Sequence, residues 1–592
     1  MTLVQHTSET KTPANYIAAE ALEQALGNPY NEENPINFAE IMDLDEREVY
    51  PSEMIEELRN HKFEQYYVPT QFGGKLRNFE EFLALGRVLS RRDLSLAITD
   101  AHTFLGSVGV WIGGSKEQKQ RMADAILAGR QGCLAVTERH HGSDLNANTM
   151  RASSHDFGYE LNGEKWPINK ATMTDILCAI VRTNDAPNSR SLSLFLIEKD
   201  KLAEGSYEHL DKVLTLGIRG CDISGIRFEN ARLGFEDLIG KEGHGLELTL
   251  KGFQITRSMC AGLSLGAADS ALRSVLRFVD TRQLYGTSVI NLPHARATLA
   301  QAYIDLLCAD ALAIFGSRAM QAVPGQFSIW SAIMKYWAPT RLETTVQELS
   351  VILGSRFYFR DEHDNGIFQK IMRDNSIISL FDGSTIVNLQ AIGLQFKQLI
   401  KRQQKVRNQE APFEEADLWN ILDLEATQQD FDFNRLDLFA KGKNTALLGW
   451  ESLRERWEVQ RSATDSLIAA DLDLLIAEVE EQLFALEAKV EDAKIPVGQT
   501  LPPAIFELAK DYCQLHVATL CIGGWLVNSD RMSPWLAEGA WLVLALDRLM
   551  SRFRPADQER LSRYAEGAAQ HMLQQLHENH MFSLVPFQLA RD

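Results

Sequence analysis

Between Cys133 and Asp144 the chain reads CLAVTERHHGSD, and this stretch decides how its surroundings are divided. A short apolar run ends in Thr137 and Glu138, and a turn around Gly142 leads to Ser143 and Asp144. Thr137 and Ser143 are hydroxyl donors beside a glycine turn, able to touch a polar ligand through side chain and backbone. Alone, the stretch is equally well a polar loop; its neighbours break the tie. Before it, PSEMIEELRNHKF and NFEEFLALGRVLSRR are amphipathic at helical spacing, with Pro69 and Gly73-Gly74 between them. After it, YELNGEKWPI, DILCAIVRT, RSLSLFLIEKD and ISGIRFENARL are short alternating segments parted by turn residues. The stretch is therefore expected where a helical unit hands over to a β unit.

Further out, helical patterns return after GKEGHGLELTLKG and run to about residue 400. The polar KRQQKVRNQEAPFEEAD is expected to be a linker or exposed crossing. Beyond it Leu472, Leu475, Ile476, Val479, Leu483, Leu486 and Val490 recur every three or four residues, one apolar helix face, until PVGQTLPP breaks the pattern. The fold class is mainly α with a central β domain. Four segments are expected: a helical 1–130, a β domain 131–240, a helical bundle 241–400 and a helical extension 401–592.

Composition excludes several functions. With 80 acidic against 60 basic residues, the net charge of −20 argues against binding a phosphate backbone or an anionic membrane surface. Seven dispersed cysteines without a CxxC pair predict reduced thiols and a cytoplasmic protein, not a disulfide frame or zinc site. MTLVQHTSETKTPANY lacks the pattern of a signal peptide, and the apolar VATLCIGGWLV is shorter than the ~20 residues a membrane span needs. GLSLG at 262–266 matches a hydrolase nucleophile elbow but sits in a helical context. His571, His577 and His580 lack the accompanying ligands of a metal site, so a surface or capping role is expected and no metal. Neither a Walker A motif nor a complete GxGxxG is present.

Seven stretches, in order, resemble the acyl-CoA dehydrogenase superfamily: YYVPTQFGG, LAVTERHHGSD, LNGEKWPIN, LGIRGCDISGIRFENARL, TRSMCAGLSLGAA, DTRQLYGTSV and IMRDNSIISLFDGST. The resemblance covers about residues 40 to 400. It implies an N-terminal helical domain, a middle β-barrel and a helical bundle, with FAD in the cleft and partly gripped by a neighbouring subunit. By position it places Leu134, Val136, Thr137, Gly142, Ser143, Pro167, Asn169 and Ser384 at the flavin. Ser143, Arg257, Asp382 and Gly383 fall at the substrate, and Arg282 with Tyr285 reaches the FAD of a neighbour, which implies a homodimer or homotetramer. Pro167, Asn169, Pro293, Val351, Ser384 and Ile386 stand where the family pattern has Trp, Thr, two Gln, Thr and another polar residue.

Asp382 occupies the place of a catalytic base that is Glu in most of the family, and its side chain is shorter by a methylene, about 1.5 Å. Some branches carry the base just before the helix arginine, and Thr256 stands there. The resemblance thus implies FAD-dependent α,β-dehydrogenation of an acyl thioester, on CoA or on an acyl-carrier protein. Asp382 would take the α-proton, hydride would pass to flavin N5, and electron-transfer flavoprotein or O2 would accept the electrons. Two alternatives share the fold: an oxidase like the nitroalkane oxidases, which use Asp as base, and a non-catalytic FAD-containing binding protein.

Overall fold

The computed structural model describes residues 12–186, 188–496, 498 and 500–591. Most of the stretch read for a signal peptide, and parts of PVGQTLPP, lie outside these residues. The first helices are α1 (Ile17–Leu26), α2 (Phe38–Arg47), α3 (Ser52–Asn60), α4 (Phe79–Arg92), α5 (Leu94–Gly113) and α6 (Lys116–Leu127). Side-chain caps start α2, α4, α5 and α6. Asn78 accepts from Glu81 N at α4, Asp93 accepts from Ser95 N and Leu96 N at α5, and Ser115 with Gln118 forms a capping box at α6. Helix gives way to strand between Leu127 and Gly132, beside the CLAV run.

Eight strands follow: β1 (Gly132–Ala135), β2 (Arg151–His155), β3 (Gly158–Asn169), β4 (Ile176–Arg182), β5 (Leu192–Glu198), β6 (Tyr207–Leu210), β7 (Ile223–Leu233) and β8 (Leu238–Ile239). They form one sheet in the order β6-β7-β3-β2-β4-β5-β8, with β1 parallel to β4 off that path. β4 and β5 do not alternate apolar and polar as expected, because both of their faces are buried. Leu177, Ala179, Val181, Phe195 and Ile197 fill the domain's own core. Ile176, Cys178, Ile180, Leu192, Leu194 and Leu196 join the large helical core instead. Helix α5 lies directly on this second face. A Cβ at Gly106 would stand 2.7 Å from the backbone N of Cys133, so glycine is required for the approach.

The bundle holds α7 (Gly245–Thr281), a two-strand ribbon of β9 (Gln283–Leu284) and β10 (Thr287–Ser288), α8 (Pro293–Ala322), α9 (Phe327–Leu353), α10 (Ile367–Asn375), α11 (Thr385–Gly393) and α12 (Phe396–Arg407). By length and composition α8 could cross a membrane, a property the sequence reading did not assign to it. Its apolar window is 94% buried against other helices, so it is a core helix here.

The extension comprises α13 (Glu415–Leu422), α14 (Thr445–Leu448), α15 (Trp450–Gln460), α16 (Ser466–Asp492), α17 (Pro503–Asn528), α18 (Pro534–Glu538), α19 (Ala540–Met550) and α20 (Gln558–His577). It shares one core with the bundle: α17, α19 and α20 all pack on α8. The last residues thread back into the first helices. Asp310 of α8 accepts from Ser583 Oγ and Leu584 N, each at 2.7 Å, and Arg87 of α4 donates to the Phe582 carbonyl at 2.7 Å.

Two expectations fail in this region. KRQQKVRNQEAPFEEAD is mostly helical, in α12 and α13, and only 408–414 connects them. The linker reading fails, although the stretch is exposed or half-buried apart from Gln403, and Arg407 makes a bidentate pair with Glu487 of α16 at 2.8 and 2.7 Å. His571 is not at the surface but 6% exposed, 5.0 Å from the Trp535 ring, and burial lowers its pKa to about 4. Among the described residues no group of His, Cys, Asp and Glu could hold a metal ion, and all seven cysteines are buried and unpaired.

Candidate active site

Three helices present one face each to a common cavity. Phe82, Leu83, Gly86 and Leu89 of α4 face Ala97, Ile98, Ala101, His102, Phe104 and Leu105 of α5, with Thr256, Met259, Cys260 and Leu263 of α7 opposite. The spacings of one, three, four and seven residues are those of a helical stripe. Phe63, Tyr67, Phe381 and Asp382 complete the wall, enclosing about 690 Å³ of empty space with the open mouth included. The lining is apolar and aromatic, and Asp382 is the acid within it.

Asp382 sits in the turn before α11 with φ +52°, an uncommon conformation that non-glycine residues hold at some cost. Side chains from α7 and α9 secure that turn. Thr256 Oγ1 donates to Asp382 Oδ2 at 2.6 Å, and Arg257 Nε donates to the Asp382 carbonyl at 2.8 Å. Lys335 of α9, 0% exposed, donates from Nζ to the Ile378 carbonyl and stands 5.0 Å from the Phe381 ring centroid. Glycine suits position 383: its φ is +94°, which other residues rarely adopt, and a Cβ there would displace the Arg257 guanidinium, 2.7 Å away at Nη2.

Asp382 as a residue is half-buried, but its Oδ1 is shielded from water and has no partner. Burial raises its pKa above the usual carboxylate value, while Arg257, Thr256 and Lys335 pull it back. The result is a carboxylate with one anchored oxygen and one unengaged oxygen at the base of an apolar cavity. Such a group is built to accept a proton from carbon or to be held neutral.

The loop of the opening stretch is positioned by a buried ion pair that the sequence reading did not identify. Glu138 accepts from Thr149 N, Thr149 Oγ1 and Met150 N at 2.7 to 3.0 Å. Lys165 of β3, 0% exposed, donates to Glu138 Oε1, Asn148 Oδ1 and the Val136 carbonyl at 2.9, 3.1 and 3.2 Å. Trp166 N donates to the Thr137 carbonyl at 2.9 Å. The end of β1 thus runs beside the end of β3, where Asn169 is buried with Oδ1 unpartnered and its Nδ2 is 3.0 Å from His102 Nδ1. His102 lines the cavity and burial lowers its pKa to about 4, so this contact links the β domain to the cavity wall.

The expected site residues separate into groups. Asp382, Gly383 and Arg257 are brought together, with Ser384 next in the chain at the N-terminus of α11, where its hydroxyl makes no cap bond. Leu134, Val136, Thr137 and Asn169 gather at the ends of β1 and β3. Pro167 follows a cis peptide bond there and is exposed. Gly142 and Ser143 are exposed and not in the cavity wall. Arg282 and Tyr285 are exposed on the β9–β10 ribbon at the far end of α7, away from the cavity of their own chain. In IMRD, Arg373 binds Asp45 and the Leu216 carbonyl, and Asp374 accepts from Ile218 N, so this motif braces the fold.

Lys335 could have been noticed from sequence, as the lone cation in the apolar helix stretch FSIWSAIMKYWA. The aromatic cavity residues carried no such signal, since they read as ordinary core.

Known proteins match the chain domain by domain. The N-terminal, middle and C-terminal domains of acyl-CoA dehydrogenase match residues 32–130, 133–231 and 243–396. A probable acyl-CoA dehydrogenase, FadE25 of Mycobacterium tuberculosis, is 24% identical over 344 residues, 58% of this chain and 86% of that protein. Among solved structures, an acyl-CoA dehydrogenase complexed with FAD from Bacillus anthracis aligns with TM-score 0.66 at 17% identity, over 95% of this chain and 91% of the other. That alignment includes the extension. The prolyl acyl carrier protein oxidase AnaB aligns with TM-score 0.57 at 16% identity, over 63% of this chain and 96% of its own.

Proposed function

The chain belongs to the acyl-CoA dehydrogenase family, and from that premise we propose that it is an FAD-dependent enzyme introducing an α,β double bond into an acyl thioester, with Asp382 as the base. The observation that carries the proposal is the unengaged, water-shielded Oδ1 of Asp382 at the base of an apolar cavity. A base takes a proton from carbon through a free lone pair, and exclusion of water leaves that lone pair less solvated and more basic.

The residues at the β side of the cavity fit a flavin. The buried, unpartnered Oδ1 of Asn169 is an acceptor left for a donor outside the chain, and Leu134, Val136, Thr137 and Pro167 lie beside it. When bound there, FAD supplies the acceptor for the two electrons that leave with the β-hydrogen. The chain's own work is placement. Phe82, Phe104, Met259 and Leu263 bury the acyl chain, and their character supports a hydrocarbon group. Thr256 aims the carboxylate, Arg257 fixes the peptide that carries it, and burial sets its proton affinity above that of a surface aspartate.

The handle is CoA or a carrier-protein thioester, and the acceptor electron-transfer flavoprotein or O2. The likeness to a carrier-protein oxidase supports keeping the second of each pair in the test. Arg282 and Tyr285 would serve the FAD of a second copy in a homodimer or homotetramer. The free, buried cysteines support a reducing, cytoplasmic setting. The four-segment division belongs to the same proposal.

The test is anaerobic bleaching of the flavin band by a panel of acyl-CoAs and acyl-carrier proteins, for the parent protein and Asp382→Asn. Bleaching by some thioester, lost in the variant, is expected. A panel that leaves the flavin oxidised sinks the activity, and equal rates in the variant remove Asp382 from it. Peroxide released when the reduced protein meets air identifies O2 as acceptor.

A further inference from the structure

The turn from Ile378 to Asp382 rests on a buried lysine that the chemistry above does not require. Lys335 projects from the middle of α9, is 0% exposed, and spends a hydrogen bond on the Ile378 carbonyl. Its ammonium lies 5.0 Å from the centroid of the Phe381 ring, the residue next to the acid. A buried lysine is expensive to maintain, since desolvation disfavours its charge and its side chain has rotamer entropy to lose. A hydrocarbon side chain of similar volume in the same enclosed place would carry no such desolvation cost.

We propose that Lys335 is a positioning residue for the base: bound to the Ile378 carbonyl beneath Phe381, it holds the Asp382 turn against α9 and provides the positive charge that keeps the buried carboxylate available to take a proton. The proposal rests on the reading of Asp382 as base.

The electrostatic setting is specified by every element that packs on the turn. From α7 come Arg257, on the Asp382 carbonyl, and the neutral thiol of Cys260. From α9 come Lys335 and Glu343, whose Oε2 accepts from Ser379 at 3.0 Å. Across the cavity α5 offers His102, kept neutral by burial. Arg257 and Lys335 are thus the two cations that oppose the desolvation of Asp382. Arg257 is half-buried, whereas Lys335 is fully enclosed, where a charge is less screened.

Two variants separate the parts of this role. Lys335→Gln keeps a donor for Ile378 and loses the charge, whereas Lys335→Met loses both at similar volume. In the flavin-loaded full-length protein, the infrared band of the protonated Asp382 carboxyl, assigned by its loss in Asp382→Asn, is titrated against pH. The midpoint is expected about one pH unit higher in Lys335→Gln than in the parent. Amide hydrogen exchange at 378–383 is expected to stay at the parent rate in Lys335→Gln and to quicken at least tenfold in Lys335→Met.

An unmoved midpoint in Lys335→Gln overturns the charge role, and parental exchange in Lys335→Met overturns the positioning role. If Lys335→Met does not fold, exchange in Lys335→Gln and in the parent across pH decides the matter: protection must survive in the glutamine variant. Neither readout needs a substrate, so both stand if Asp382 proves not to be the base. In that event the thioester panel fails while the titration shift remains.

Discussion

Helix α7 carries both halves of the candidate machinery, and its two ends are built on different terms. At the Thr256–Arg257 end, one chain supplies everything: the hydroxyl on Asp382, the guanidinium on its carbonyl, the cavity wall and the counter-charge behind it. At the other end, about 37 Å along the axis at ~1.5 Å per residue, Arg282 opens an exposed ribbon. Its turn residues Tyr285 and Gly286 have φ of +51° and +82°, as in a tight two-residue hairpin, and Tyr285 is 94% exposed. A buried site is specified by its own core. The exposed Tyr285 packs on nothing among the described residues of its own chain, and in the proposed homodimer or homotetramer it would serve a second copy. In that proposed assembly, the length of α7 would separate what one subunit completes from what a second copy adds.

That contrast can be broken at either end. The largest effect is expected at the closed end: Asp382→Asn should slow flavin reduction by an acyl thioester about 10²- to 10⁴-fold in anaerobic stopped flow. A loss below tenfold would mean the closed end is not where the proton goes. Next, Arg282→Ala should weaken FAD binding about ten- to a hundredfold, read by flavin fluorescence, because a charge-assisted bond to a phosphate is removed. Sedimentation of the parent protein should show more than one copy. A tightly flavinated monomer would make the ribbon ordinary surface.

Third, Gly86→Leu tests whether the cavity is the acyl site. A Cβ there meets nothing within 4 Å, so α4 can accept the side chain, which then occupies the cavity. Preference in kcat/KM should move toward shorter chains by about tenfold, and an unchanged chain-length profile would place the acyl group elsewhere. The smallest effect belongs to Thr256→Val. Because burial raises the Asp382 pKa, the acid limb of the reduction rate should lie above the ordinary carboxylate range, with activity falling as pH drops through it. Loss of the Thr256 hydroxyl removes a bond to the charged form, so the limb should move further up, by under about one pH unit. Movement toward lower pH would show that the hydroxyl favours the neutral acid.

How much of this was legible beforehand depended on whether the signal was local. The face of α16 from Leu472 to Val490 was read correctly because a 3.6-residue repeat needs no knowledge of its partner; all seven residues are buried. The Asp382-Gly383 turn was visible as a turn, and family order marked it as more. The 401–417 stretch is largely exposed, as an exposed crossing would be, but it is not a linker: α12 is anchored by Phe396, Leu399, Ile400 and Gln403, and its partner Glu487 comes from eighty residues away. His571 was misread for the same reason, since Trp535 and Ser533 cover it from another helix. His102 and the Glu138–Lys165 pair were missed because an ionisable group in sequence carries no label of its depth; Lys335, missed as well, alone carried a signal, as a single cation in an apolar stretch.

By itself the sequence determined the order of helical and β segments, the turns and caps between them, and the chemical identity of the acid and hydroxyls at the candidate site. Those are set by backbone geometry and side-chain type within a few residues. Only the tertiary structure decided that Thr256 touches Asp382, that a lysine lies beneath it, and that Arg282 stands apart from both. Proton affinity and contact depend on desolvation and on atoms brought from distant parts of the chain, and those are properties of a packed interior.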